Sequence, residues 1–280
     1  MIRIFNQHEQ EIKTKQDNFP DGTQLIRVNQ DALKEEYLTI RWDYETEGEL
    51  ATLIFITRHL QENSDAKLIL EMPYIPNARM DRINHSDEIF TLKYFAQTIN
   101  DLHFYAVRVL DPHSNVSKAL LNNLFEMNVN LFIQNAIDDY EPDVLFMPDE
   151  GAHKRYSTFF NLPSTFGIKL RDWRTGEIKD YHLADPEMIK DKRVLIIDDI
   201  SSRGNTFYHA GMLLHKEGAK AIGLYVTHCE KTIANGFVLD PEKSHIDTVY
   251  TADPLWHTID DDPLWHNTDD YKLNRIKIIK

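Results

Sequence analysis

Two adjacent carboxylates, Asp198 and Asp199, end an apolar run, Arg193 to Ile197, and are followed at once by Ile200, Ser201, Ser202, Arg203, Gly204, Asn205 and Thr206. An amphipathic stretch with helical spacing, Thr206 to Glu217, comes next. A small, glycine-containing turn between a strand and a helix N-terminus aims backbone N–H groups at an anion, and Ser202 and Thr206 add hydroxyl donors. Paired carboxylates at the carboxyl end of a parallel strand suit the hydroxyls of a ribose, because that is where α/β sheets bind ligands. Aspartates that merely solvate a strand end, with Ser202 capping the next helix, explain the pair alone. They do not explain the whole order of strand, acids, loop and helix, which reads as a cradle for a sugar phosphate.

A second group lies upstream, where Met72 to Arg82 reads Met, Pro, Tyr, Ile, Pro, Asn, Ala, Arg, Met, Asp, Arg after another apolar run. Two prolines hold such a loop off a sheet, and Arg79 and Arg82 offer fork-shaped donors to a polyphosphate. A surface loop whose arginines pair with Asp81 and Asp87 is the plainer account. His113 follows Leu110, Asp111 and Pro112 at the end of a further strand, and Lys169 and Arg171 open a polar stretch that reaches Asp191. A lysine and an arginine at the mouth of a loop are what phosphoryl transfer asks for; a solvated charged loop also fits.

The elements that position these groups alternate. Periodicity predicts helices at Glu47 to Gln61 and Glu88 to Asn100 between strands at Lys67 to Met72 and Tyr105 to Leu110. After a polar junction at Asp138 to Asp143 come strands at Val144 to Met147, Arg193 to Ile197 and Ala221 to Thr227. Strands rich in Val, Ile and Leu with helices between them imply an α/β fold, with parallel sheets covered by helices in two units joined near residue 142. With 280 residues, 42% hydrophobic and 27% charged, the chain has the make-up of an ordinary globular protein. Its net charge of -14 repels polyanions and argues against nucleic acid as a partner. The one cysteine, Cys229, points to a reducing compartment, expected to be the cytoplasm; no secretory pattern opens the sequence and no apolar run is long enough to span a bilayer. A short duplication, Asp-Pro-Leu-Trp-His at 253–257 and again at 262–266, has no evident role.

The strand, acid pair and loop around Asp198 and Asp199 resemble the phosphoribosyl diphosphate (PRPP) binding motif of type I phosphoribosyltransferases and ribose-phosphate pyrophosphokinases. Met72 to Arg82 resembles the ATP-binding loop of the latter, PRPP synthetases, with Met80 in place of a glutamine. The resemblance covers roughly residues 19 to 254 and implies two phosphoribosyltransferase-like domains, each a mainly parallel sheet flanked by helices. Residues 1–142 would form an ATP-binding domain, and 143–280 a ribose-phosphate-binding domain with a mobile loop about 170–191. It implies that Phe19, Asp21, Arg79, Asp81, Arg82 and His113 contact ATP, with Phe19 and Asp21 reaching the adenine in a neighbouring subunit; Thr23 stands where the family has a glutamate. It further implies that His113 and Asp149 contact Mg²⁺, that Lys169 and Arg171 are catalytic, and that Asp198, Asp199 and Ser201 to Thr206 hold the ribose phosphate. Asp149 also suits a helix N-cap.

The implied reaction is pyrophosphoryl transfer from MgATP to the anomeric hydroxyl of a 5-phosphorylated ribose, in a homo-oligomer serving nucleotide biosynthesis. Ser202 and Arg203 depart from the family loop, which usually has an acid and a small residue there, so a larger ester such as ADP-ribose is an open alternative to ribose 5-phosphate. A type I phosphoribosyltransferase that consumes PRPP, and a noncatalytic regulatory homologue, are the other readings. The first leaves the loops at Pro73 to Arg82 and His113 unexplained, and the second is at odds with the retained Lys169, Arg171, His113 and aspartate pair.

Overall fold

A computed structural model describes residues 1–171, 178–256 and 274–279. The chain divides into two compact units, Met1–Asn128 and Val129–Lys280. The first is built on β1 (Ile2–Asn6), β2 (Glu11–Ile12), β3 (Thr14–Asn18), β4 (Gln24–Val28), β5 (Tyr37–Trp42), α1 (Glu49–Asn63), β6 (Lys67–Glu71), α2 (Thr91–Asn100), β7 (Ala106–Leu110), α3 (Asn115–Leu120) and β8 (Leu124–Met127). Six strands make one sheet in the order β2-β1-β5-β6-β7-β8, in which β5 to β8 are parallel and β1 and β2 antiparallel at one edge. The core follows from the pattern: Leu38, Ile40 and Trp42 alternate inward along β5, and Leu53, Ile56 and Leu60 repeat at helical spacing along α1. β3 and β4 form a separate two-stranded hairpin, docked on α1 where the Thr52 hydroxyl donates to Gln24 Oε1 at 2.9 Å.

The second unit continues with α4 (Asn130–Tyr140), β9 (Val144–Met147), α5 (Glu150–Tyr156), β10 (Ser164–Arg171), β11 (Ile178–Leu183), β12 (Arg193–Ser201), α6 (Asn205–Lys216), β13 (Ala221–Glu230), α7 (Pro241–Ser244), β14 (Thr248–Leu255) and β15 (Ile276–Ile278). Its sheet runs β11-β10-β9-β12-β13-β14-β15, parallel throughout except for β11 at one edge. β9, β12 and β13 are almost wholly buried, which is why they read as continuous apolar runs.

Several boundaries differ from expectation, each for a local reason. The units part before α4 and not near residue 142, because α4 packs on β12 and β13. α2 begins at Thr91, since Glu88 folds back to accept the backbone N–H groups of Asn84 and His85 in a turn. β12 runs on through Ser201 because its pairing with β13 continues to Cys229, so Asp198 and Asp199 lie within the strand. Most of the stretch expected as a lid is ordered structure: Ile178–Leu183 pairs with β10, and Pro186–Met188 is a 3₁₀ turn. Residues 172–177 lie outside the described residues, as do His257 and the second copy of the Asp-Pro-Leu-Trp-His repeat; the first copy ends β14 and places Trp256 in the core.

Candidate functional site

In the second unit, Asp149, Lys169, Asp198 and Asp199, four of the groups singled out by sequence, come together at the carboxyl end of the sheet. Asp199 is buried near the end of β12, its N–H bonded to Asp198 Oδ1 at 3.0 Å. Asp149 caps α5, accepting the N–H of Ala152 at 3.1 Å, so the capping role and the site role coincide in one side chain. Its other oxygen receives Lys169 Nζ at 3.4 Å. Burial, then the charge of Asp199 and beyond it that of Asp149, push the Asp198 carboxyl well above the usual carboxylate range. Among the described residues, two cations answer this concentration of acid: Lys169, whose side chain is 9% exposed, and Arg155, whose Nη1 lies 4.0 Å from Asp199 Oδ2.

Beyond β12 the chain makes the turn that sequence assigned to phosphate. Gly204 adopts φ 77°, in the left-handed region, and serves as N-cap of α6 without a side-chain cap, so no capping side chain takes up the first N–H groups of that helix, as an anion site requires. A Cβ on Gly204 would meet Val238 Cγ2 at 2.2 Å, and one on Gly236 would sit 1.8 Å from the carbonyl oxygen of Arg203. The loop is therefore closely backed by the 236–238 segment. Ser202 is fixed from the same side, its hydroxyl 3.0 Å from Thr232 Oγ1, which donates to Glu230 at 3.1 Å. The Ser201 hydroxyl is buried and turned to the carbonyl of Ser202, supporting the loop from beneath. Arg203 and Asn205 are exposed, and Thr206 is half-buried in the first turn of α6.

Lys169 stands on β10 directly opposite Tyr181 on β11, its ammonium 5.7 Å from the ring centre. Tyr181 packs over Gly167, where a Cβ would fall 2.4 Å from the ring, and donates its hydroxyl to the carbonyl of Pro148 at 3.1 Å, next to Asp149. Burial, with the charges of Asp149 and Asp198, raises its phenol far above the usual range. Arg171 follows two residues after Lys169 on the backbone of β10. Tyr181, Arg155 and Thr232 are the members of this site that sequence reasoning missed. Their only advance signal was a tyrosine in a polar stretch and a basic residue on a short helix.

In the first unit, the two loops that sequence assigned to ATP share one edge of the sheet. The Pro73–Arg82 loop leaves β6 and Asp111–His113 leaves its neighbour β7, and the pairing runs on past both strands through Met72 N–H to Arg108 and Leu110 N–H to Pro73. Asp81 is buried and binds Arg82 Nε at 2.8 Å; burial acts to raise its carboxyl, but the hydrogen bond and charge of Arg82, with His113 nearby, hold it below the usual range. Asp81 thus orients Arg82, while Arg79 is exposed and His113 half-buried. Phe19 and Asp21 lie elsewhere, on the turn between β3 and β4. Phe19 is exposed, and Asp21 accepts the hydroxyl and N–H of Thr23 at 2.6 and 3.0 Å, which hold its carboxyl low.

Three comparisons bear on this arrangement. Residues 117–251 match the phosphoribosyl transferase domain family. The chain is 27% identical over 226 residues to the ribose-phosphate pyrophosphokinase of Saccharolobus solfataricus, covering 78% of this chain and 76% of the relative. It is 25% identical over 219 residues to that of Pyrococcus furiosus, with 75% of each covered. The fold superposes on the crystal structure of phosphoribosylpyrophosphate synthetase from Mycobacterium smegmatis with a TM-score of 0.70 at 16% identity, over 96% of this chain and 86% of that one. The motifs, the relatives and the fold point the same way: the chain is similar to ribose-phosphate pyrophosphokinases over about three quarters of its length.

Proposed function

We propose that the protein transfers the β,γ-pyrophosphoryl group of MgATP to the anomeric hydroxyl of a 5-phosphorylated ribose and releases AMP. The observation that carries this reading is the strand, acid pair and phosphate turn of β12 and α6, with a nearly buried Lys169 beside the acids. Asp198 and Asp199 would hold the ribose hydroxyls and the turn from Ser202 to Thr206 the 5-phosphate. The anomeric oxygen then bonds to the β-phosphorus as the bond from that phosphorus to the α-phosphate oxygen breaks. Such a loose transition state asks for alignment and for positive charge on the moving oxygens. Lys169, and Arg171 two residues on, are assigned that charge, and Tyr181 and Asp149 fix the lysine's position. Arg79 and Arg82 are assigned to the ATP phosphates, with His113.

Mg²⁺ suits the residues present. Asp149, Asp198 and Asp199 crowd enough negative charge to raise one carboxyl, yet among the described residues no three His, Cys, Asp or Glu side chains form a metal cage. That is the situation of an ion that keeps water and substrate phosphate as most of its ligands. When bound, it would neutralise phosphate charge, and Asp149 and His113 are the residues assigned to hold it, directly or through water. We take the protein to work in the cytoplasm as a homo-oligomer; among the described residues no helix is long and apolar enough to cross a membrane.

The exposed guanidinium of Arg203 at the rim of the phosphate turn favours a second reading of the acceptor. A diphosphate ester such as ADP-ribose extends past the turn, where a fork of donors can reach its second phosphate. Incubation with MgATP and a panel of 5-phosphorylated riboses, followed by mass spectrometry for AMP and a pyrophosphorylated sugar, tests both. Ribose 5-phosphate as the sole acceptor removes the second reading; use of ADP-ribose, weakened more by Arg203→Ala than use of ribose 5-phosphate, supports it. No product with any member of the panel refutes the pyrophosphokinase activity.

A further inference from the structure

From sequence, the Ser202 hydroxyl is a donor to the phosphate. The contacts behind the turn point the other way. Ser202 Oγ lies 3.0 Å from Thr232 Oγ1, which lies 3.1 Å from Glu230 Oε2. All three residues are half-buried, and the far end of this chain is mounted on firm structure: Glu230 closes β13, paired with Leu255, and Thr232 sits in the 3₁₀ turn that follows, Lys231–Asn235. A hydroxyl has one hydrogen to give and lone pairs to receive with, whereas an ionised carboxylate only receives. Thr232 therefore donates to Glu230. Had it turned its hydrogen to Ser202 instead, its lone pairs would oppose those of the carboxylate across 3.1 Å, with repulsion in place of a charge-assisted bond. Thr232 is left with lone pairs facing Ser202, so the Ser202 hydrogen goes to Thr232. The acid sets the direction of the whole chain, and at its other end the Ser202 oxygen has only lone pairs to offer a ligand.

We infer that Glu230 and Thr232 are positioning residues that make the Ser202 side chain an acceptor for a hydroxyl of the sugar, an inference that rests on the proposed binding of a 5-phosphorylated ribose. A phosphate monoester loses its second proton at about pH 6 and has few hydrogens left to donate at neutral pH. Lone pairs aimed at it repel, and backbone N–H groups with the Thr206 hydroxyl are the groups that suit it. A ribose, by contrast, has a hydrogen on every free hydroxyl. Position along the chain agrees. Ser202 stands between Asp198 and Asp199, assigned to ribose hydroxyls, and the turn from Gly204 into α6, assigned to phosphate, so the part of the substrate that passes it is the sugar. The backbone of Ser202 stays in the phosphate turn; only its side chain changes partner. A site built to receive a hydroxyl discriminates against a sugar that lacks it, and it does so whether the 5-substituent is a phosphate or a diphosphate ester.

Calorimetry on the full chain with inorganic phosphate and with ribose 5-phosphate separates acceptor from donor without turnover. Ser202→Ala should weaken ribose 5-phosphate roughly three- to tenfold and leave inorganic phosphate as in the wild type. Equal weakening of both ligands would make the hydroxyl a donor to phosphate and overturn the inference. Thr232→Val removes the group that takes the Ser202 hydrogen and frees it for an anion, so inorganic phosphate should bind roughly two- to fivefold tighter, and Thr232→Ser, which rebuilds the relay, should return it to the wild-type value. Weaker phosphate binding by Thr232→Val would mean that the threonine only braces the turn, and would likewise overturn it. Among ribose 5-phosphates lacking one hydroxyl in turn, one should bind the wild type and Ser202→Ala equally, which identifies the partner hydroxyl; the same loss with every analogue contradicts a hydroxyl partner. In the pyrophosphokinase assay, turnover of ribose 5-phosphate with a KM indifferent to Ser202→Ala keeps the activity and removes the acceptor. The binding pattern expected here, without pyrophosphorylation of any sugar, upholds the acceptor and removes the activity.

Discussion

Gly204→Ala asks whether the phosphate turn tolerates anything but the backbone it has. Gly204 sits at φ 77° and ψ 19°, and an added Cβ would lie 2.2 Å from Cγ2 and 3.2 Å from Cβ of Val238, a fully buried side chain. Two costs add. A left-handed backbone costs a residue with a Cβ roughly 1–2 kcal/mol, and forcing a methyl into a packed site typically costs about 1–3 kcal/mol. Gly22 separates them, since it has φ +85° but nothing within 4 Å of the added carbon. Gly22→Ala should therefore lose only the first, roughly 1–2 kcal/mol, and Gly204→Ala about 2–5 kcal/mol. Thermal or urea unfolding of the two variants beside the wild type measures the difference. The clash cannot be relieved by moving the loop toward residue 236, because the Arg203 carbonyl already occupies the space a side chain there would need. The turn must shift outward, and affinity for the sugar phosphate should fall with stability, while Gly22→Ala leaves it unchanged. Equal destabilisation by the two substitutions would refute the reasoning, for it would mean that Val238 yields freely.

Lys169→Ala should lower turnover by about two to three orders of magnitude, with ATP binding and the melting temperature nearly unchanged, since its charge acts on the moving phosphoryl oxygens; steady-state rates near wild type would remove it from catalysis. Asp198→Asn should stabilise the metal-free protein at pH 8 and not at pH 4. The raised carboxyl is protonated in acid, so the penalty for its charge is absent there and grows as pH rises through its folded-state value. A variant no more stable than wild type at pH 8, or one that binds the sugar phosphate as well, contradicts the site. Cys229 is buried, and burial, with Glu230 beside it, pushes its thiol far up, so iodoacetamide at pH 8 should modify it only after unfolding. Labelling of the folded chain within minutes would show that β13 opens.

Wherever burial on both faces makes a strand apolar throughout, the sequence was easy to read: β6, β7, β9 and the first part of β12 announce themselves, and so do α1 and α6 by their spacing. Elements with a polar face or few residues were not legible. β3, Thr-Lys-Gln-Asp-Asn, has no apolar residue at all and is a strand only because β4 pairs with it. β11 carries Lys179, Asp180 and His182 and so passed for a solvated loop. The site shows the same division. Acids and glycine adjacent in sequence could be found from spacing, whereas Arg155 beside Asp199 and Tyr181 beside Asp149 are contacts of the folded chain, joining residues that no local pattern links.

β10 belongs to the parallel sheet only as far as Phe166, and from Gly167 onward it pairs with β11 alone. Lys169 is therefore mounted on a narrow ribbon in which side chains alternate from face to face, and a slip of one residue would present Ile168 and Leu170 to Asp149 in its place. The Tyr181 ring seated over Gly167 acts as an index pin against that slip, because a residue with any side chain at 167 would collide with it. Aim and span are thus set separately. Changes in length between residues 172 and 177 should leave the lysine pointed as it is, whereas a single residue inserted between Gly167 and Lys169 should turn it away from the acids while every atom of the phosphate turn stays where it was.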